Sequence, residues 1–183
     1  MSSLLALEGV ALIRGGRLLF EGLSLTLRPG EAALARGPNG IGKSSLIRLA
    51  AGLLLPAAGT AARAEAALAD EHLALDERQR LGAALSFWAK DAAPGLAAMG
   101  LEELAEVPVR MLSTGQRKRA ALARVIASGA PLWLLDEPAN GLDADGQVRL
   151  AAAMAAHRAA GGAILAASHQ LLALDGAQTV ELG

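Results

Sequence analysis

Apolar and polar side chains alternate along the N-terminal part of the chain. The alternation covers residues 4–13 and 18–27, and a period of two residues is typical of a strand with one buried face. Residues 28–31 (Arg-Pro-Gly-Glu) follow, and their Pro-Gly pair predicts a turn. The pattern therefore predicts an antiparallel β annex at the start of the fold.

Strands and helices alternate in the rest of the chain. An apolar run at 32–36 precedes a glycine-rich loop and a helical pattern that ends near Gly52 and Pro56. Beyond these, the pattern predicts a possible strand at 64–69, two helical pieces over 76–106 that break at Pro94 and Gly95, a helix from Ser113 to near Gly129, strands at 132–135 and 163–167, a helix over 145–160 and a possible last strand at 179–182. Such alternation predicts a mainly parallel sheet flanked by helices. We expect a single domain, residues 1–183, with a small helical subdomain near 73–128.

Composition limits the size and the partners of this fold. The 183 residues, 53% of them hydrophobic, suffice for one globular domain but hardly for two. Lysine and arginine (17) nearly balance aspartate and glutamate (18), so the net charge of −1 provides no attraction to polyanions, and we expect no nucleic-acid partner. The absence of cysteine excludes thiolate metal sites. No apolar run reaches the roughly 18 residues that span a bilayer, so we expect any membrane contact to be peripheral.

A glycine-rich loop follows the predicted strand at 32–36. Residues 37–44 match the pattern G-x-x-x-x-G-K-[ST] between a strand and a helix, where a phosphate-binding loop belongs. Glycines let successive backbone N–H groups and the positive end of the next helix face a phosphate. Lys43 adds a cation for the terminal phosphates, and Ser44 would ligate Mg²⁺. The predicted nucleotide-binding residues here are Gly37, Pro38, Asn39, Gly40, Ile41, Gly42, Lys43, Ser44 and Ser45.

Two acidic residues follow the apolar strand predicted at 132–135. Asp136 stands where a metal-facing aspartate is needed, and Glu137 is placed to act as a catalytic base or to position water. Two acids at the solvated end of a strand are the alternative interpretation, but the phosphate-binding loop favours the first one. We therefore expect a Mg²⁺-dependent phosphoryl-transfer site.

A second candidate anion site lies at the start of the helix predicted from Ser113. Ser113 and Gln116 have the spacing of a capping box, which leaves the positive end of the helix exposed. Because the chain already has one phosphate-binding loop, this helix end makes sense if it reaches the nucleotide of a second copy. The sequence therefore predicts a homodimer with two composite sites when nucleotide is bound.

Residues 112–116 (Leu-Ser-Thr-Gly-Gln) resemble the LSGGQ signature of ABC ATPases, and residues 117–124 resemble the helix that follows it in that family. The resemblance covers essentially the whole chain. It implies the α/β fold of the ABC-type P-loop NTPases, ATP hydrolysis, and ATP and Mg²⁺ as cofactors. The roles that it implies are catalysis by Lys43, Glu137 and His169, nucleotide contacts by Ser113, Gly115, Gln116 and Asp143, and metal binding by Ser44, Asp136 and His72.

Two positions depart from the pattern of that family. The glutamine that senses Mg²⁺ has no clear counterpart; His72 occupies its place, and Gln79 is the alternative. The aromatic ring that usually stacks on adenine is also missing, because residues 13–15 (Ile-Arg-Gly) contain no ring. Arg14 could lie over the base through its guanidinium plane instead.

Within the ABC family, the chain most resembles the ATP-binding proteins of the haem-export system for cytochrome c biogenesis. The resembling segments are residues 36–40, His72, residues 87–88, 115–119 and 130–138, and His157 ahead of Gly161 and Gly162. The resemblance implies an integral membrane permease as partner and a location on the cytoplasmic face of the bacterial inner membrane. The alternatives are an ATPase subunit for another transported substrate and a soluble ABC ATPase outside transport.

Overall fold

Two β-sheets and the helices packed on them form the fold. The computed structural model describes residues 3–170 and 172–182; Met1, Ser2, Leu171 and Gly183 of the predicted domain lie outside the described residues. The strands are β1 (Leu5–Arg14), β2 (Arg17–Leu27), β3 (Ala32–Arg36), β4 (Ala58–Arg63), β5 (Ala66–Ala69), β6 (Leu132–Asp136), β7 (Ala163–Ala167) and β8 (Gln178–Glu181). The helices are α1 (Lys43–Ala50), α2 (Leu81–Ser86), α3 (Ala93–Met99), α4 (Thr114–Ala127) and α5 (Ala144–Ala159), with 3₁₀ turns at Glu102–Leu104 and Val109–Met111. Among the described residues, no helix has the length and apolar character that a membrane crossing requires.

The first sheet is antiparallel and has the strand order β2-β1-β4. β1 and β2 form the predicted N-terminal pair, in which Leu5 lies opposite Leu27. β4 pairs with the other edge of β1, and all its residues are exposed. The sequence did not predict β4, because a strand without a buried face shows no alternation of apolar and polar positions. Backbone hydrogen bonds to β1 hold it in place instead.

The second sheet is parallel, as predicted, and has the strand order β5-β6-β7-β3-β8. Its central strands β6, β7 and β3 are buried almost throughout, so both faces need cover. One face packs against α2 to α5 through residues that include Trp133 and Ile164, and the other packs against α1 and the antiparallel sheet through residues that include Leu134 and Leu165. Because β6, β7 and β3 are parallel neighbours, the loops that follow them meet at one edge of the sheet.

The helices α2, α3 and α4 cover the first of these faces. The predicted break at Pro94 and Gly95 is wrong, because both residues lie in the first turn of α3. Proline is tolerated there, since the first N–H groups of a helix have no partner within it. Gly95 allows α3 to approach α4, because a Cβ at this position would lie 2.2 Å from the backbone oxygen of Ala123. The break between helices falls at residues 87–92 instead.

Candidate active site

The glycine-rich loop at 37–42 joins β3 to α1. Gly37, Gly40 and Gly42 have φ angles of 140°, 80° and 122°, which favour glycine over any residue with a Cβ. Gly37 also has no room for a side chain, because a Cβ would lie 2.7 Å from the backbone oxygen of Leu182. Among the described residues, no side chain caps the N-terminus of α1. The first N–H groups of α1 are therefore available to an anion.

Lys43 is the first residue of α1, and its side chain lies within the curve of this loop. Its side chain is buried, and Nζ donates hydrogen bonds to the backbone oxygens of Gly37 at 2.7 Å and of Pro38 at 3.0 Å. A buried ammonium needs such partners, since an unpaired charge is costly to remove from water. The loop thus holds a cation at its centre, where it can meet a phosphate.

Asp136 is the last residue of β6 and is half-buried. Burial raises the pKa of its carboxyl above the usual range, and the Glu137 carboxylate adds to the rise. The Ser44 hydroxyl and the Arg48 guanidinium oppose this rise in the pKa of Asp136. Within the described part of the chain, the buried Oδ1 of Asp136 has no hydrogen-bond partner. A buried carboxylate oxygen without a partner is a suitable ligand for a cation, so the residues present fit the Mg²⁺ that the sequence predicts.

Glu137 has a left-handed backbone, with φ of 49°, and its N–H donates to the oxygen of Ala167 at 2.8 Å. This conformation is rare outside glycine and is found at functional sites, where the surroundings hold it in place. Across the edge of the sheet, Nδ1 of His169 lies 2.9 Å from Oε2 of Glu137, and the His169 backbone N–H donates to the same oxygen at 3.4 Å. Two of the three residues predicted to be catalytic, Glu137 and His169, are therefore in direct contact.

A cavity of about 540 Å³ is lined by eight of the seventeen predicted site residues. Arg14 and Leu19 line it on the side of the antiparallel sheet. The predicted residues that line it are Asn39, Gly40, Gly42, Lys43, Ser44, Ser45, Glu137 and His169. One open space is therefore bordered by the phosphate-binding loop, by a paired carboxylate and by a buried cation. This is the set of groups that phosphoryl transfer to water requires.

Ser113, Gly115 and Gln116 lie elsewhere, at the start of α4. The predicted capping box is present: the Gln116 N–H donates to Ser113 Oγ at 3.2 Å, and the Ser113 N–H donates to Gln116 Oε1 at 2.9 Å. None of the three lines the cavity that contains the phosphate-binding loop of the same chain. Their predicted contact with the nucleotide of a second copy stays a prediction.

Asp143 is also outside that cavity. Its Oδ1 accepts the Gly146 N–H at 2.8 Å and so caps α5, and its Oδ2 lies 3.6 Å from Nη2 of Arg119. Asp143 therefore has a structural role within its own chain. Its predicted contact with nucleotide stays a prediction.

His72 is not brought together with Ser44 and Asp136. Its exposed ring lies with Nδ1 3.2 Å from Oδ2 of Asp70, and it lines a second cavity of about 400 Å³. Gln79, the alternative, donates from Nε2 to Asp76 at 3.4 Å. Metal binding by His72 thus stays a prediction. Among residues 3–170 and 172–182, no group of three or more histidine, aspartate or glutamate side chains could hold a metal ion.

Two residues near the site were missed by sequence reasoning. Asn140 lines both cavities and accepts a hydrogen bond from Gln170 at 3.1 Å. Lys118 of α4 lines the second cavity; burial lowers its pKa, and nearby carboxylates, Asp136 first among them, oppose the shift. The sequence signals were the loop after Glu137 and the basic run at 117–119, but neither shows which side chain turns inward.

Comparison with known proteins agrees with this geometry. A family model described as ABC transporter matches residues 20–140. The cytochrome c biogenesis ATP-binding export protein CcmA of Sphingopyxis alaskensis is 59% identical over 191 residues, with 100% of this chain and 98% of that protein covered. The CcmA protein of Novosphingobium aromaticivorans is 57% identical over 176 residues, with 94% and 92% covered.

A solved structure supports the same conclusion for the fold. An ATP-binding subunit of an ABC transporter superposes with a TM-score of 0.88 at 23% identity, covering 98% of this chain and 86% of that one. At this identity the similarity speaks for the fold alone, whereas the family model and the relatives speak for the family. The chain therefore belongs to the ABC transporter family and, within it, to the cytochrome c biogenesis ATP-binding export proteins.

Proposed function

We propose that this chain is the ATP-binding and ATP-hydrolysing subunit of a membrane ABC transporter, the haem-export system of cytochrome c biogenesis. The observation that carries the ATPase activity is the contact between Glu137 and His169 on the wall of a cavity that also contains Lys43. The assignment to cytochrome c biogenesis is supported by relatives that are more than half identical over nearly their whole length.

Residues 1–183 act as one ATPase domain in this proposal, with a helical subdomain near 73–128. The packing supports it, because α2, α3 and α4 share one buried apolar cluster with the parallel sheet. A shared core couples movements of the helices to the sheet edge that carries Glu137.

Phosphate binding follows from the shape of the glycine-rich loop. The free N–H groups at the start of α1 donate to the phosphate oxygens. The Lys43 ammonium exchanges the neutral backbone oxygens of Gly37 and Pro38 for anionic phosphate oxygens, which are stronger acceptors. The buried position of Lys43 keeps this charge poorly solvated and therefore effective.

Ser44 and Asp136 are the residues that would hold Mg²⁺. This ion prefers oxygen ligands and usually takes one or two protein groups, with phosphate oxygens and water as the rest. When bound, it would neutralise negative charge on the phosphates. The unpartnered Oδ1 of Asp136 supports the assignment. His72 lines the second cavity, which neither Ser44 nor Asp136 lines, so the geometry supports these two as ligands and gives no support to His72.

Hydrolysis depends on how Glu137 is held. Its carboxylate accepts a proton from the attacking water or orients that water toward the terminal phosphate. His169 contacts the same carboxylate from side chain and backbone, so it fixes the direction in which the free lone pairs of Glu137 point. The left-handed backbone of Glu137 adds to this fixed geometry.

A second copy of the chain completes the site in this proposal. The capped, exposed start of α4 presents free N–H groups and the positive end of the helix dipole, which attract a terminal phosphate. Ser113, Gly115 and Gln116 do not line the cavity of the glycine-rich loop in their own chain, so they would act on the nucleotide of a partner copy. Closure of the dimer would then drive the attached membrane subunits.

The remaining partner is an integral membrane permease, which places the subunit on the cytoplasmic face of the bacterial inner membrane. An ATPase subunit for another transported substrate is the second candidate, because a different permease would change the substrate without changing this site. The relatives favour the first, since their names specify cytochrome c biogenesis.

Purification of the full chain from bacterial membranes tests the proposal. We expect membrane proteins of cytochrome c biogenesis to co-purify and the complex to hydrolyse ATP. Lys43→Ala should still co-purify but lose activity by about a hundredfold, the usual effect of removing one charged contact to the reacting group. Lys90→Ala is the matched control, because Lys90 is exposed and outside the cavity. Full activity of Lys43→Ala, or a chain that purifies without membrane proteins, would contradict the proposal.

A further inference from the structure

We infer that the Arg14 guanidinium is the platform on which the nucleotide base stacks, and that the site distinguishes poorly between purine bases. The inference rests on the proposed function and adds the base preference of the same site. A nucleotide presents a charged triphosphate, which needs donors and cations, and a flat base, whose faces are stabilised by stacking. The glycine-rich loop serves the triphosphate, so the base needs a flat partner elsewhere in the cavity.

The phenylalanine and tryptophan rings of this protein lie in other places, and the His169 ring, which lines the cavity, is held by Glu137. The chain has no tyrosine, two phenylalanines and two tryptophans. Phe20 is buried in the core, and Trp133 is buried and stacked on His157 with ring centroids 3.9 Å apart. Phe87 and Trp88 contact each other edge to face in the helical part, 5.3 Å between centroids. Among the described residues, none of these four rings lines the cavity of the glycine-rich loop.

Arg14 offers the flat group that the rings do not. It is the last residue of β1, it is exposed, and it lines the cavity beside Leu19. Its Nη1 donates a hydrogen bond to Oγ of Ser45 at 3.3 Å, and Ser45 is buried in the first turn of α1. This bond holds the guanidinium beside the phosphate-binding loop. A guanidinium stacks on flat rings through its plane and its charge.

Stacking on the face of a base does not distinguish the hydrogen-bonding groups on its edge. On the side of the antiparallel sheet, the Arg14 side chain donates hydrogen bonds but accepts none, and the Leu19 side chain can do neither. The amide side chains of the cavity, Asn39 and Asn140, lie instead in the phosphate-binding loop and in the loop after Glu137. Adenine and guanine differ in the donors and acceptors on their edges, whereas both present a flat face. Because strong discrimination requires a hydrogen-bonding group that the wrong base leaves unpaired, we expect GTP to bind within about fivefold of ATP.

Ligands with and without a base separate a base contact from a phosphate contact. The purified full chain is titrated calorimetrically with ATP, GTP and inorganic tripolyphosphate, all with Mg²⁺. Three variants are compared with the wild type: Arg14→Ala, Arg14→Lys, which keeps the charge without the plane, and Arg14→Trp, which restores a plane. Arg17→Ala is the matched control, because Arg17 lies opposite Arg14 in the β1-β2 pair but lines a different cavity.

We expect Arg14→Ala and Arg14→Lys to weaken ATP and GTP binding about tenfold, as loss of one stacking contact does. Tripolyphosphate binding should stay unchanged, Arg14→Trp should bind ATP as well as the wild type, and Arg17→Ala should have no effect. The inference is overturned if Arg14→Ala weakens tripolyphosphate as much as ATP, if neither Arg14→Ala nor Arg14→Lys weakens ATP, or if the wild type binds GTP about a hundredfold less tightly than ATP. A wild-type chain that binds none of the three ligands contradicts the proposed function itself.

Discussion

Nδ1 of His169 lies 2.9 Å from Oε2 of Glu137, although the two residues are 32 positions apart in the chain. They meet because β6 and β7 are parallel neighbours, with Asp136 opposite Ala167, and each residue lies just beyond the end of one of these strands. The contact gives the carboxylate one fixed orientation toward the cavity.

The charge of Glu137 is the first feature to test. Glu137→Gln keeps the shape of the side chain but removes the proton acceptor, so we expect turnover to fall at least a hundredfold, within the range of general base catalysis. ATP binding should persist, and a nucleotide-bound dimer should accumulate. Phosphate release and light scattering with ATP measure the two effects. Glu103→Gln, at an exposed position, should behave as the wild type; rapid turnover by Glu137→Gln would remove this residue from the reaction.

The contact between His169 and Glu137 predicts that the two residues act as a unit. His169→Ala should lower kcat by about tenfold or more while leaving the KM for ATP nearly unchanged, since it removes orientation rather than binding. In a double-mutant cycle, Glu137→Gln with His169→Ala should be little worse than Glu137→Gln alone. Losses that multiply independently would show that His169 acts on the phosphate without Glu137.

Two substitutions of Ser113, at the start of α4, distinguish its role as helix cap from its proposed role in phosphate binding. Ser113→Asp and Ser113→Asn both keep an N-cap side chain, so both should leave the free energy of unfolding within about 0.5 kcal/mol of the wild type. Only the aspartate adds negative charge at this helix end. We expect Ser113→Asp to abolish ATP-dependent dimerisation and to lower the ATPase activity at least tenfold. Ser113→Asn should retain both. Dimers of Ser113→Asp that form normally with ATP would contradict the composite site.

Gly162 is expected to tolerate no side chain. A Cβ there would lie 2.2 Å from the ring of His157, which stacks on the buried Trp133 and has little room to move. Gly162→Ala should therefore lower the free energy of unfolding by about 1–3 kcal/mol, as overpacking does. Chemical denaturation measures this. The cost should shrink when His157→Ala is already present, and an equal cost in both backgrounds would disprove the clash.

His157 also predicts a pH dependence of stability. Burial lowers the pKa of its ring below the usual range, although the backbone oxygens of Ala163 and Pro131 oppose the shift. The unfolded chain binds the proton more readily, with a pKa of about 6.5. The contribution of His157 is therefore complete above that pH and is lost as the pH falls below it. Denaturation curves between pH 7.5 and pH 5 should show this loss in the wild type and a weaker one in His157→Gln; identical curves would contradict it.

Much of the site was predictable because its residues are contiguous in sequence. The phosphate-binding loop needs glycines next to Lys43, and Asp136 and Glu137 directly follow an apolar strand, so short patterns reveal them. The contact between Glu137 and His169 followed only from the order of parallel strands. The bond from Arg14 to Ser45 joins residues 31 positions apart on different elements, and no local pattern carries it.

The two errors in the predicted fold each have a physical cause. β4 is exposed along its length, so its formation depends on pairing with β1 rather than on its own pattern. The sequence pattern predicts a helix break at Pro94, yet at the first turn of α3 this residue lacks only an N–H that the helix does not use. The tertiary partner β1 therefore decides whether β4 forms, whereas position within the helix decides the effect of Pro94.

The glycine-rich loop holds the Lys43 side chain through its own backbone. The backbone oxygens of Gly37 and Pro38 accept hydrogen bonds from its ammonium, so the loop itself fixes a cation beside the place where a phosphate would lie. Incoming ATP has only to draw one side chain away from two neutral acceptors.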